Sequence, residues 1–149
     1  MTQAYSQEGG KMRTSKTGSM FRTVLNTQGS AADDGDALTY DLSVVQTNAA
    51  DSSVAQPATE DLAAPAGIAQ ESIAASGYGE VKVYGYDAAA LVSGGSDVAV
   101  GDTLIGADGV DNLVVGTVGT NDAFMFGVAT EANTVATAAA TGMFIRGII

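Results

Sequence analysis

The chain has 149 residues, with 17 Asp and Glu against 6 Lys and Arg, and neither Cys nor His. That length holds one domain with an appendage; lack of Cys excludes disulfides and thiol chemistry, and lack of His removes the usual general base and the commonest transition-metal ligand. A net charge of −11 argues against nucleic acid as a partner, since that needs a basic face.

The first ten residues lack the apolar core of a signal peptide. No stretch approaches the roughly 20 apolar residues that span a bilayer. The expectation is therefore a protein made and used in a cytoplasm, or in something assembled there, with no membrane partner. Hydrophobic residues make up 46% of the chain, but much of that is Ala, and Gly adds 19 residues. Such a core is thin, and a thin core in a small β domain gains from a partner subunit.

Residues 1–19 are rich in Gly, Ser, Thr and Gln and read as an arm without a core of its own. Residues 1–30 carry Lys11, Arg13, Lys16 and Arg22 against Glu8, a charge of +3, while the remainder carries −14. The arm is either a solvated terminus or a segment that orders on an acidic partner surface, a neighbouring copy or a different protein. Lys11, Arg13, Lys16, Phe21 and Arg22 are the candidate contact residues. Met20–Leu25 reads as a short strand, the Asp- and Gly-rich run 31–36 as a turn, and Leu38–Val44 as a half-buried strand by its alternation. Residues 46–64 are small and polar, contain Pro57, and read as loop or linker.

Leu, Ile, Val and Phe number nine in residues 1–64 and 23 in residues 65–149. The first count falls below the roughly 20% that supports a packed core. A boundary is expected near Pro57 to Pro65. It separates an N-terminal arm and extension with one or two strands (1–64) from a β-rich globular body (65–149).

The body is punctuated by glycine. Strands are expected at 67–72, 80–86, 98–100, 103–105, 113–118, 123–130 and 143–149, with a helical turn within each of 87–92 and 133–141. Short strands at such intervals predict an all-β fold, a small β-barrel or β-sandwich with an extended N-terminal arm. Gly67-Ile-Ala-Gln-Glu71 has a counterpart in Gly127-Val-Ala-Thr-Glu131, each followed by a small-residue spacer and a strand. This is a pseudo-repeat of one hairpin-like unit. Lys82 and Arg146 fall at corresponding places in its two strands.

Candidate chemistry is sparse. Asp33-Asp-Gly-Asp36 and Asp108-Gly-Val-Asp-Asn112 supply hard oxygen ligands, but neither has the twelfth-position acid of an EF-hand. Asp-Gly turns account for both. Glu71 and Glu131 are the one carboxylate pair with positional logic for glycoside chemistry, and a structural role or a contact with Lys82 or Arg146 is the better reading. No Gly-x-Ser-x-Gly elbow, Ser-x-x-Lys pair or phosphate loop occurs. The chain is expected to be no enzyme and to take no cofactor or metal.

In order, Ala66-Gly-Ile-Ala-Gln-Glu71, Gly79-Glu-Val-Lys-Val-Tyr-Gly85, Val98-Ala-Val-Gly-Asp-Thr-Leu104, Phe126-Gly-Val-Ala-Thr-Glu131 and the strand at 143–149 resemble the head decoration, or capsid cement, proteins of tailed bacteriophages. The resemblance covers residues 65–149 and leaves the first 64 largely unmatched. It implies a non-enzymatic virion protein on the outer capsid surface, synthesised in the host cytoplasm. It further implies that the chain binds the major capsid protein and other copies of itself, a trimer in the first place and a dimer in the second, and stabilises the shell by bridging neighbouring capsomers. The alternative is a tail, fibre or surface β module that binds a receptor or carbohydrate. Tyr78, Tyr84 and Tyr86 are the aromatic cluster that keeps it open.

Overall fold

A computed structural model of the chain describes residues 3–4, 12–14, 18–44, 52–59, 62–93, 97–117, 125–134 and 137–146. Among them are eleven strands and no helix: β1 (Gln3–Ala4), β2 (Met12–Thr14), β3 (Met20–Asn26), β4 (Ala37–Tyr40), β5 (Ser53–Ala55), β6 (Pro65–Ala69), β7 (Tyr78–Ser93), β8 (Thr103–Ile105), β9 (Val114–Val115), β10 (Met125–Ala129) and β11 (Ala138–Arg146). The all-β expectation holds, in its barrel form.

Strands β3, β5, β4, β6 and the first half of β7 close into a five-stranded barrel, because Met20–Leu25 of β3 pairs back onto Tyr84–Tyr78 of β7. On β7 alternation decides what lies inside, whereas β6 is buried along its whole length. Val24, Leu38, Val54, Ala66, Ala69, Val81 and Val83 fill the interior, with Ala32 and Ile73 completing the same cluster. A ring of so few strands encloses little volume, which Val and Ala fill beside the larger Leu38 and Ile73. The β1–β2 hairpin adds to the edge of β3, with Met12–Thr14 opposite Arg22–Met20.

At 16 residues, β7 outruns this barrel. Its second half carries the same sheet onward, in the order β7-β11-β10-β8-β9. That sheet curls around a second core of Ala90, Val92, Val98, Leu104, Leu113, Phe126, Ala129, Met143 and Ile145. It returns to β7 through one parallel bridge, Val92 to Leu113, where Ser93 N–H donates to Leu113 O at 2.8 Å and Leu113 N–H to Leu91 O at 2.9 Å. The same parallel step joins β3 to β5, with Thr27 N–H donating to Val54 O at 2.9 Å.

The two halves are therefore one unit used twice, and the hydrogen bonds align them residue by residue. Ala32 exchanges two backbone bonds with Ile73, as Val98 does with Asn133. Gly35 donates to Ala69 and Ala69 to Asp36; Gly101 donates to Ala129 and Ala129 to Asp102. Asp36 Oδ2 accepts Asp33 N–H at 2.7 Å, and Asp102 Oδ2 accepts Ala99 N–H at 2.8 Å. Glu71 Oε1 accepts Glu80 N–H and Glu131 Oε1 accepts Gly142 N–H. The repeat is longer than the sequence suggested, since Ala32–Leu38 answers Val98–Leu104 as well. Its last strand aligns Val81 with Met143, because these face Ala69 and Ala129. Lys82 then corresponds to Phe144 and Tyr84 to Arg146, which corrects the pairing of Lys82 with Arg146.

Other expectations differ from what forms. Asp87–Val92 is strand, not helical turn, because Ala138–Thr141 of β11 lines up against Ser93–Ala90; for alanines the partner decides. Residues 138–141 are strand for the same reason. β4 stops at Tyr40 where Asp41 begins a turn, its carboxylate accepting from Thr27, Ser43 Oγ and Ser43 N–H. The reading of 46–64 as loop misses β5. The composition boundary near 57–65 falls between β5 and β6, two staves of one barrel. The expected strand at 98–100 reduces to the Val98 bridge.

Candidate interaction surface

Outward positions on β7 are its even-numbered residues up to Tyr86, since Val81 and Val83 face the barrel core. They carry Tyr78, Glu80, Lys82, Tyr84 and Tyr86. Tyr84 is 39% and Tyr86 53% exposed. Beside them on β11 lie Phe144, opposite Tyr86, and Arg146, opposite Tyr84. Tyr84 and Phe144 meet edge to face with centroids 5.1 Å apart, a favoured aromatic geometry. Val128 of β10 stands next in the row, opposite Phe144. On the other flank Met20 faces Tyr84, and Phe21 faces Lys82. The result is a sheet face of Tyr84, Tyr86, Phe144 and Val128 with Arg146 at its rim. Tyr78 is exposed but lies at the far end of β7, beside Leu25, and does not join it.

Polar anchors hold this face in place. Gly85 takes φ +111°, a left-handed value that bends β7 between its two halves. Across that bend Lys82 Nζ donates to Tyr86 O at 3.0 Å and to Asp87 Oδ2 at 2.8 Å, and Gln70 Nε2 also donates to Asp87 Oδ2, at 2.9 Å. The Asp87 and Lys82 side chains are only 5% and 13% exposed. Burial pushes the Asp87 carboxyl up, but bonds from Lys82, Gln70 and Ala89 N–H hold it below the ordinary carboxylate range. Lys82 Nζ also stands 5.5 Å from the centre of the Phe21 ring, a cation–π distance.

The sequence-chosen contact residues scatter. Lys11 and Lys16 lie outside the described residues. Arg13 stands opposite Phe21 in the backbone register. Phe21 is half-buried on the outer face of β3. Arg22 belongs to the inner side: its Nη1 donates to Tyr40 Oη at 2.8 Å and its guanidinium lies 5.6 Å from that ring's centre. Sequence reasoning missed Phe144 and Val128, because only the β7–β11–β10 register places them beside the tyrosines.

The acidic motifs settle into turns. Asp33, Asp34, Asp36 and Asp111 gather where the two units meet, with Ala37 N–H donating to Asp111 O at 2.7 Å. Asp36 is 4% exposed; burial, with Asp111, Asp33 and Asp34 nearby, pushes its carboxyl up to about 6 against the Asp33 N–H bond. Among the described residues no three carboxylates converge in a metal-binding arrangement. Glu71 and Glu131 occupy equivalent places in separate units, each accepting one backbone N–H within the following strand, Glu80 of β7 and Gly142 of β11. Catalysis by them as a pair has no support in that placement.

No family model and no curated protein matches the chain. Among solved structures it is similar to the head fiber gp8.5 N base of bacteriophage phi29, with a TM-score of 0.53 and 21% identity, covering 87% of this chain and 96% of that one. What the two chains share, over nearly their whole lengths, is the fold.

Proposed function

We propose that the chain is a non-enzymatic structural protein of a tailed-phage virion, seated on the outer surface of the head and bound to the major capsid protein and to other copies of itself. One observation carries the reading: the fold likeness to a phage head fiber base over 87% of the chain. The exposed aromatic face on β7 and β11 supports it, since contiguous apolar surface on a small protein marks an interaction site. The order of Gly-Asp and Gly-apolar-Ala-x-Glu motifs supports it independently.

The mechanism is mechanical. A protein that binds the assembled shell but not free capsomers shifts the shell's equilibrium away from rupture by mass action. Many copies, each bridging neighbouring capsomers, add small increments. The second reading, a fibre base or surface module that engages a receptor or carbohydrate, is favoured by the neighbour being a fibre component and by Tyr84 and Tyr86 sharing one face.

Co-sedimentation of purified chain with empty expanded heads and with unexpanded precursors tests the head-surface role. Binding to expanded heads is the expected result, and binding to neither form removes the reading. A rise in the temperature at which bound heads rupture separates a cement from a fibre base, which binds without that rise.

A further inference from the structure

All six cations of this acidic chain lie on, or flank in sequence, four neighbouring strands. Arg13 is on β2, Arg22 on β3, Lys82 on β7 and Arg146 on β11; Lys11 and Lys16 flank β2. β2, β3 and β11 hold no acid at all, while β7 adds Glu80 and Asp87. Lys82 is matched internally by Asp87 at 2.8 Å, which leaves Arg146, exposed beside Tyr84, as the described cation at the rim of the aromatic face. Elsewhere the same molecule gathers Asp33, Asp34 and Asp111 at the exposed joint between its units. One copy thus carries both an aromatic face with Arg146 at its rim and an acidic cluster, on different elements.

We propose that the outer face formed by Tyr84, Tyr86, Phe144 and Arg146 docks on the Asp33–Asp34–Asp111 joint of a second copy of the chain. Unlike surfaces meet, so the contact is heterologous and closes into a ring where the rotation permits. Charge complementarity selects the occupant: the Asp33–Asp34–Asp111 joint presents Arg146 with opposite charge. The tyrosines and Phe144 supply the desolvated centre that dominates such contacts. The inference deepens the head-surface reading, to which it adds how neighbouring copies meet. Its test uses the chain alone, so it fails or stands apart from binding to heads.

Sedimentation velocity of the full chain over a concentration series makes the test, at about 0.1 M salt, low enough for charge contacts within about 10 Å to act. Association of the unmodified chain is expected. Tyr86→Ser and Arg146→Glu, both at exposed positions, each weaken it about tenfold or more. Asp34→Lys weakens it likewise, and mixing the Arg146→Glu and Asp34→Lys chains restores association, since one reversed contact joins the two variants. A chain that stays monomeric throughout at low salt overturns the proposal. So does association that is indifferent to Tyr86→Ser and Arg146→Glu, or a mixture no better than either variant alone. Circular dichroism of each variant confirms the fold.

Discussion

Two buried carboxylates show how position sets opposite behaviour. Asp36 has a carboxyl pushed up from 3.8 to about 6 by burial among other acids, so the folded state binds its proton more tightly than the unfolded chain does. Stability from this group therefore grows as pH falls through about 6 towards 3.8 and is absent at neutral pH. Asp36→Asn keeps an oxygen to accept Asp33 N–H and removes the charge. It should raise the melting temperature at pH 8 and leave it unchanged below the ordinary value of 3.8; a lower melting temperature at pH 8 would refute the assignment. Asp87 runs the other way. Its depressed carboxyl stabilises above the unfolded value and loses that contribution as pH falls through the folded one. Asp87→Ala strands Lys82 and Gln70 in a buried site and should cost about 3–5 kcal/mol, read from urea unfolding at neutral pH.

Glycine placement governs the elements. A Cβ on Gly127 would lie 2.0 Å from Phe144 O and one on Gly67 2.3 Å from Lys82 O, so β10 and β6 approach their partner strands at the same point of each unit. Gly127→Ala forces those backbones apart and should cost about 3 kcal/mol or more. Gly101, with φ +92° and open space around its Cβ direction, should lose only about 1 kcal/mol as Ala. A Gly127→Ala variant as stable as Gly101→Ala would contradict the close approach. Each unit also closes its turn with a carboxylate. Glu71→Ala and Glu131→Ala free one strand N–H apiece, of Glu80 and Gly142, and should each cost about 1 kcal/mol, by the same measurement.

At the scale of the molecule, β7 belongs to both units, and Ala37 and Ile68 of the first barrel pack into the second core. Neither unit can lose its staves without disturbing the other. Urea unfolding followed by tyrosine fluorescence and by far-ultraviolet dichroism should give coincident single transitions. Phe126→Ala, which empties the largest buried side chain, should shift both curves together by about 3–5 kcal/mol. A split into two transitions would mean that the units fold independently.

The amino-acid order alone carried the fold class, because alternation and glycine punctuation are local signals, and it carried the Gly67–Glu71 and Gly127–Glu131 half of the duplication, where four of five positions are alike in type. The other half, Ala32–Leu38 against Val98–Leu104, shares Gly, Asp and Leu amid dissimilar neighbours. The equivalence lies in the turn that Asp36 and Asp102 each close and in its backbone bonds to Ala69 and Ala129, which are a tertiary feature. β5 and the second half of β7 were illegible for a related reason: Ser, Ala and Val adopt strand when a partner strand supplies the ladder, and that partner is far away in the chain. The surface followed suit. Tyr84, Tyr86, Phe144, Val128 and Arg146 come from three strands, and tertiary register, which no local pattern encodes, brought them onto one face while turning Arg22 inward to Tyr40.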